Sequence, residues 1–236
     1  PPGLVALDTK TGEIAWSGLE GPAGYSSPIV AEIGGVRQYV AFRRAGQEAV
    51  GLTTTGEVLW RFPTPDALAA IVMPLFMPPD RIFLSTSDDS FGGHMIRVVS
   101  GEEGFTAEEL WSERLMRNHF NNSVLVDGHL YGFDNGTLRS IDGATGEKRW
   151  AKRGFGKGSV VAAGDLLLVL SDFGQVALVR ASPERYEELG RSQIMEGRSW
   201  TAPSIANGRL YLRDFDEIVS LDIRGGGAGA DQGGAR

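Results

Sequence analysis

The chain has 236 residues, no cysteine and a formal charge of −7. Lack of cysteine excludes a disulfide scaffold, a thiolate zinc site, an iron–sulfur cluster and a cysteine nucleophile. No apolar run approaches the roughly 18 residues of a membrane-spanning helix, and the acidic balance argues against nucleic acid as the main partner.

In chain order, residues 4–17 hold two strands. Sets of four short alternating strands follow at about 26–62, 73–115, 122–152 and 159–194, and residues 202–224 supply three more. That makes 21 strands, with a helical turn expected only at Pro183–Leu189. The clearest set has Ser123–Val126, Leu130–Phe133, Thr137–Ile141 and Lys148–Ala151 separated by Asp127-Gly128, Asp134-Asn135-Gly136 and Asp142 to Glu147. Asp-Gly and Asn-Gly between alternating runs are the strongest short hairpin signals. The 33 glycines are about twice the usual share of roughly 7%, as many tight turns require. The last stretch, 225–236, is Gly/Ala-rich and reads as a disordered tail that cannot bury enough apolar surface. The start, Pro1-Pro2-Gly3 without Met, reads as a cut from a longer protein.

The sequence repeats itself. Ala6-Leu7-Asp8-Thr9-Lys10-Thr11-Gly12-Glu13-Ile14-Ala15-Trp16 recurs as Ser140-Ile141-Asp142-Gly143-Ala144-Thr145-Gly146-Glu147-Lys148-Arg149-Trp150. A shorter copy is Gly51-Leu52-Thr53-Thr54-Thr55-Gly56-Glu57-Val58-Leu59-Trp60, and a worn one ends in Glu109-Leu110-Trp111. The four Trp stand 44, 51 and 39 residues apart. Four antiparallel strands per unit of about 40–50 residues mark a propeller blade. The expected fold is therefore an all-β propeller of four-stranded antiparallel blades over residues 1–224, with about five to six blades present. Twenty-one strands do not divide by four, so the chain reads as an incomplete part of a seven- or eight-bladed ring.

Each blade is expected to run from an inner strand A to an outer strand D. Trp16, Trp60, Trp111 and Trp150 lie on strand D, where an indole can lie against the neighbouring blade. Gly12, Gly56 and Gly146 supply positive φ in the outer turn, and Asp8 and Asp142 can accept its backbone N–H groups. These residues are expected to be structural, because repetition around a ring is what packing demands.

The Asp-x-x-Thr-Gly-x-x-x-Trp phrase resembles the tryptophan-docking motif of the PQQ-like (pyrroloquinoline-quinone-like) repeat family. That family includes PQQ-dependent quinoprotein alcohol dehydrogenases and the non-enzymatic outer-membrane assembly lipoprotein BamB. The resemblance implies a bacterial, extracytoplasmic setting: periplasmic, outer-membrane associated or secreted. It also implies what an enzyme would need: an adjacent-cysteine disulfide in the best-known members, and Glu, Asn and Asp around a Ca²⁺. This chain has no cysteine and no Asp-Tyr-Asp or similar acid cluster. No catalytic residue, no metal site and no cofactor is expected, with PQQ plus Ca²⁺ kept as the alternative. The enzyme question is left open, leaning against.

The expected function is a non-catalytic protein-binding or assembly scaffold. Its partner would be another protein, or another domain of the same parent chain. A small-ligand or glycan sensor built on Trp200 and Arg198 is a further alternative. Strand order places the D–A connections and the B–C turns on one face. There the candidate binding residues are Tyr25, His119, Asn121, Lys157, Arg198 and Trp200, loop-borne groups of the kind that make contacts. Asp88, Asp89, Asp134, Asp172, Asp214 and Asp216 lie in the B–C turns and would form an acidic ring further out, or serve only as turn residues. Of the three histidines, His129 is expected to be solvated and His94 to start a hairpin. Two insertions, Thr86–His94 and Gly101–Glu109, account for the 51-residue spacing, with Phe91 and Phe105 as exposed anchors if they form a partner surface.

Overall fold

The computed structural model describes residues 2–22, 24–65, 67 and 70–224; the tail expected at 225–236 lies outside them. The fold is all-β, and no helix occurs among the described residues. Blade 1 is a two-stranded sheet of β1 (Pro2–Leu7) and β2 (Ile14–Glu20). Blade 2 comprises β3 (Ile29–Ile33), β4 (Val36–Arg43), β5 (Glu48–Leu52) and β6 (Val58–Pro63). Blade 3 comprises β7 (Leu75–Met77), β8 (Arg81–Ser85), β9 (Gly93–Gly101) and β10 (Gly104–Glu113). Blade 4 is β11 (Val124–Val126), β12 (His129–Asp134), β13 (Thr137–Asp142) and β14 (Lys148–Lys152). Blade 5 is β15 (Ser159–Ala163), β16 (Leu166–Leu170), β17 (Gln175–Arg180) and β18 (Glu187–Gln193). Blade 6 has three strands, β19 (Ser204–Ala206), β20 (Arg209–Arg213) and β21 (Ile218–Asp222). Every pair is antiparallel and sequential, the architecture of an incomplete propeller. The helical turn expected at Pro183–Leu189 does not form: its second half opens β18, where Glu187 pairs with Arg180.

Local chemistry sets these hairpins. Asp127 and Gly128 both have positive φ (46° and 77°), as do Asn207 and Gly208 (51° and 73°). Two successive left-handed residues make the turn whose twist suits a two-residue hairpin. The core sits between sheets, with one apolar cluster for each neighbouring pair. Val50 and Leu52 meet Leu4 and Leu19 between blades 1 and 2. Phe42 and Trp60 meet Phe91 and Ile96 between blades 2 and 3. Leu130 and Ile141 meet Phe83 and Met95 between blades 3 and 4. Tyr131 and Phe133 meet Leu167 and Val179 between blades 4 and 5, and Leu170 meets Leu210 and Leu212 between blades 5 and 6.

The four repeat tryptophans occupy equivalent strand-D stations, each beside a register shift between strands C and D. In blade 5 Gly190 stands there instead, opposite Leu178. Trp16 donates its indole N–H to Thr54 O (3.0 Å), Trp111 to Gly143 O (3.1 Å) and Trp150 to Ser182 O (2.7 Å). Each acceptor lies in the C–D turn of the next blade. Trp60 differs: it bonds Gln38 Oε1 (2.7 Å) in its own blade and lies over Gly51, where a Cβ would come within 2.1 Å of its Nε1. The next blade has no Thr-Gly turn to receive it, because β9 and β10 run on as a long hairpin beside β6.

That hairpin corrects the expectation for blade 3. Gly101–Glu109 is mostly strand, not loop. Phe91 is 5% exposed, stacked on His94 (3.9 Å between centroids) and near Phe42 (6.0 Å). Phe105 packs against the core between blades 2 and 3. Neither is an exposed anchor, because the added residues fold back over a flank that would otherwise be bare. His94 does stand in β9, bonded to Glu109 Oε2 (2.7 Å) and Phe91 O (3.1 Å). His129 is partly exposed; it bonds Asp127 O (2.9 Å) and faces Asp142 Oδ2 (3.8 Å).

The outer turns are built alike. Asp8 Oδ1 accepts from Lys10 N and Thr11 N (2.9 and 2.8 Å), and Asp142 Oδ1 from Ala144 N and Thr145 N (2.8 and 3.0 Å). Those backbone bonds hold the Asp8 carboxyl below its ordinary range. Gly12, Gly56 and Gly146 have φ of 73°, 91° and 78°. A Cβ at Gly12 would meet nothing within 4 Å, whereas one at Gly146 would meet the Trp111 ring at 2.9 Å. Gly12→Ala is therefore expected to cost only the left-handed strain, about 1–2 kcal/mol. Gly146→Ala adds an overpacking cost of about 1–3 kcal/mol. Equal losses for the two in urea unfolding would remove the ring contact from this account.

Candidate functional site

The D–A connections and the B–C turns meet on one face, locked by direct bonds. Arg117, between β10 and β11, donates from Nε to Asp134 Oδ1 (2.6 Å) and also pairs with Asp89. Asn135 N donates to Arg117 O (3.0 Å), and Asp172 N to Phe155 O (2.8 Å). Trp200, between β18 and β19, donates its indole N–H to Asp172 Oδ1 (2.7 Å). Gly197 N donates to Asp214 Oδ2 (3.0 Å).

Several of the acidic turn residues are thus tied into the turns, while Asp89 and Asp216 stay exposed. Asp134 is buried between Arg117 and Arg139. Burial opposes its charge, yet the two guanidinium groups hold its carboxyl below the ordinary range. Asp214 Oδ1 accepts from Asp216 N (2.8 Å) and Glu217 N (2.7 Å), which lowers its carboxyl too. Asp88 accepts from Thr86 Oγ1 (3.0 Å) within its turn. The cause is local: a carboxylate in a B–C turn sits within reach of the strand-D exit, and pairing there satisfies both segments.

The six candidate residues divide. His119 and Lys157 come together, with Nζ 3.5 Å from Nδ1. Burial, and then the Lys157 charge, pushes the His119 pKa down. Arg198 lies over Trp200 (5.0 Å to the centroid). Asn121 is buried and donates to Gly158 O (3.1 Å), a bracing bond between neighbouring D–A segments. Tyr25 is 79% exposed and stands apart from the other five. Two further aromatics belong to the group. Phe120 lies 4.8 Å from both His119 and Trp200, and Phe215 packs edge-on to Trp200 at 6.0 Å. Phe120 sits between two of the candidates in the same connection, and Phe215 sits between Asp214 and Asp216 in a B–C turn. Only the curvature of the sheets brings these segments together.

Inside this rim the strand-A ends of blades 3, 4 and 5 surround a cavity of about 250 Å³. Its walls include Met73, Leu75, Val124, Val160 and Val161, with Ala202 at the edge. Asn122 Oδ1 accepts from Met73 N (2.9 Å), bridging two blades. Ser159 also lines the cavity; it is fully buried and its Oγ has no hydrogen-bond partner among the described residues. A PQQ–calcium pair does not fit this donor set. The cavity wall carries no carboxylate and no cation, and no group of three His, Cys, Asp or Glu capable of holding a metal occurs among the described residues. A calcium ion needs several oxygen ligands, carboxylates foremost.

Stacked four-stranded sheets, stapled by indoles and opening on a loop-built rim, define a repeat protein of the propeller class. The chain belongs to the family whose model is described as outer membrane protein assembly factor BamB, matched over residues 2–152 and 134–228. No curated protein matches it. Among solved structures it resembles BamB from Moraxella catarrhalis at 15% identity and a TM-score of 0.52, over 92% of this chain and 77% of that one. The computationally designed protein Ika8 matches at 14% identity and a TM-score of 0.68, over 94% and 65%. The Cps50 (Swd1) β-propeller domain of Myceliophteria thermophila matches at 13% and 0.62, over 92% and 76%. At such identities these likenesses establish the fold alone. No helix among the described residues is long and apolar enough to cross a membrane.

Proposed function

We propose that residues 1–224 act as one non-catalytic, protein-binding scaffold, engaging another protein or another domain of its parent chain through the loop face. The supporting observation is the rim. His119, Phe120, Lys157, Arg198, Trp200 and Phe215 gather there from three D–A connections and one B–C turn. Aromatic and Arg side chains on a rigid frame are the usual anchors of protein contacts. Membership of the BamB-described family supports an extracytoplasmic setting, near the outer membrane of a bacterium. The glycan-sensor alternative is less well supported, because Phe120, Phe215 and Arg198 already pack on Trp200 and Asp172 takes its N–H. The quinoprotein alternative is less well supported, because the cavity wall carries no carboxylate and no metal-holding group of three occurs among the described residues.

A photo-crosslinking side chain at Lys157 is expected to yield discrete protein adducts in the native host. The same group at Asp165, in the A–B turn of blade 5 on the opposite face, is expected to yield none. Adducts from Asp165 alone would refute the loop-face reading. Stoichiometric uptake of added PQQ and Ca²⁺, with dye reduction, would replace it by the enzyme reading.

A further inference from the structure

We infer that the free edge of β1 is a docking site for an extended peptide segment from outside this chain, added as an antiparallel strand and anchored by an aromatic side chain opposite Ala6. The site lies on the flank of blade 1 rather than on the loop face, so it goes beyond the function proposed above. Three observations carry it.

First, β1 has an unprotected edge. It pairs with β2 on one side and with no described strand on the other, and alternate residues turn their N–H and C=O groups toward that open side. Sheet edges are commonly blunted by charge or by shortness. The strand-D edges carry Arg61, Glu108, Arg149 and Glu188, and the strand-A edges β7, β11 and β19 are three residues long. β1 has six residues and no charge, and its sheet exposes Leu7 (58%) and Ile14 (66%).

Second, a groove of about 220 Å³ follows that edge, lined by Leu4, Ala6, Trp16, Pro28 and Tyr39. It exceeds the roughly 150 Å³ apolar cavity that takes up benzene. It continues the contact between blades 1 and 2, in which Leu4 and Tyr39 pack with Val50 and Leu52.

Third, blades 3 and 4 show what fills this position. They are the two complete blades whose Trp, like Trp16, docks on the next blade. In blade 4, Tyr131 of strand B pairs with Ser140 and Ser140 with Trp150, and the two rings lie 5.9 Å apart. In blade 3, Phe83 pairs with Met95 and Met95 with Trp111, again with rings 5.9 Å apart. Ala6 is the counterpart of Ser140 in the repeated phrase and pairs with Trp16, yet no described strand stands on its other side. The neighbouring pairs extend the pattern: Leu130 lies opposite Ile141 and Phe133 opposite Leu138, the counterparts of Leu7 and Leu4. The incoming strand therefore reads Leu-Tyr-x-Phe. Its rings face blade 2 and its Leu covers Leu7 on the open flank, because successive residues face opposite sides. The two strands of this chain that carry Leu-Tyr, β12 and β20, are built into blades 4 and 6. Neither this chain nor a second folded copy has one to lend, so the segment comes from outside. In such strand addition main-chain bonds give affinity and alternate side chains give specificity.

The test uses the chain with fluorescein-labelled Lys-Leu-Tyr-Thr-Phe-Lys and two controls. One has Ala for Tyr and Phe; the other is N-methylated on the Tyr and Thr amides. Neighbouring residues aim their amides at opposite edges, so one of those methyl groups blocks the ladder. The unmodified peptide should bind at least tenfold tighter than either control and slow amide hydrogen exchange in β1. Ala6→Trp, which fills the groove, should weaken it more than tenfold. If that variant does not fold, the peptide series alone decides. A control that binds as tightly as the unmodified peptide, or no binding up to millimolar concentration, overturns the docking site. So does a concentration-dependent dimer in sedimentation that excludes the peptide, which assigns the edge to a second copy. Crosslinking from Lys157 judges the loop face separately in every case.

Discussion

Trp150→Ala is expected to unfold about 3–5 kcal/mol more easily than the parent, the cost of removing a large buried aromatic. Trp150 is 8% exposed and bonds Ser182 O across the blade boundary at 2.7 Å. Its ring also meets Tyr131 at 5.9 Å and Tyr186 edge-on at 5.6 Å. The truncation therefore empties a space between blades 4 and 5. Trp150→Phe keeps most of the ring and loses the N–H donor, leaving the Ser182 carbonyl without it. It should cost roughly 0.5–1.5 kcal/mol for the bond plus a smaller packing loss. Urea unfolding of the three proteins measures both terms. If the alanine variant has the parent's midpoint, the indole does not hold the two blades together.

Asp134→Ala is expected to be nearly as damaging, by about 3–5 kcal/mol, the range for breaking a buried ion pair from one side. The Asp134 side chain is 1% exposed and stands between Arg117 Nε (2.6 Å) and Arg139 Nε (2.8 Å). Its removal leaves Arg139 without its carboxylate partner and Arg117 with Asp89 alone. The pH dependence follows from the lowered carboxyl pKa. A carboxylate that is more acidic when folded contributes fully above its unfolded pKa, near 3.9, and its contribution is lost as pH falls through the folded value. The gap between parent and variant should then be constant from pH 5 to 8 and close below about pH 4. A gap that instead grows in acid would contradict the pairing. Because Arg117 also carries the connection leading to His119 and Phe120, the variant should disturb the rim as well as the fold.

Much of the fold is legible from local chemistry. The alternation of Leu130 to Phe133 and the pair Asp127-Gly128 specify a strand and its turn without reference to anything distant. The copies around Trp16, Trp60, Trp111 and Trp150 mark equivalent stations because a repeated phrase meets a repeated environment. The direction in which Trp60 points is not legible from its own phrase. It depends on the missing Thr-Gly turn in the following blade, about forty residues away. Phe91 and Phe105 misled for a similar reason: an inserted segment can lie out in solvent or fold over a flank, and composition does not distinguish the two. The candidate site was partly visible. Lys157, His119, Arg198 and Trp200 stand on the face that strand order assigns to them. Asn121 proves a brace, and Phe120 and Phe215 join only through curvature.

By itself, then, the sequence of this chain determined strand count, strand order, turn chemistry and the shared face of its loops, because each follows from periods of two, from left-handed turn residues and from repetition. Tertiary structure alone decided which charges pair, which rings are covered and where a cavity remains. Those outcomes depend on distances between residues some 20 to 80 positions apart, such as Phe120 and Trp200 at 4.8 Å, which only the stacking and curvature of the sheets can set.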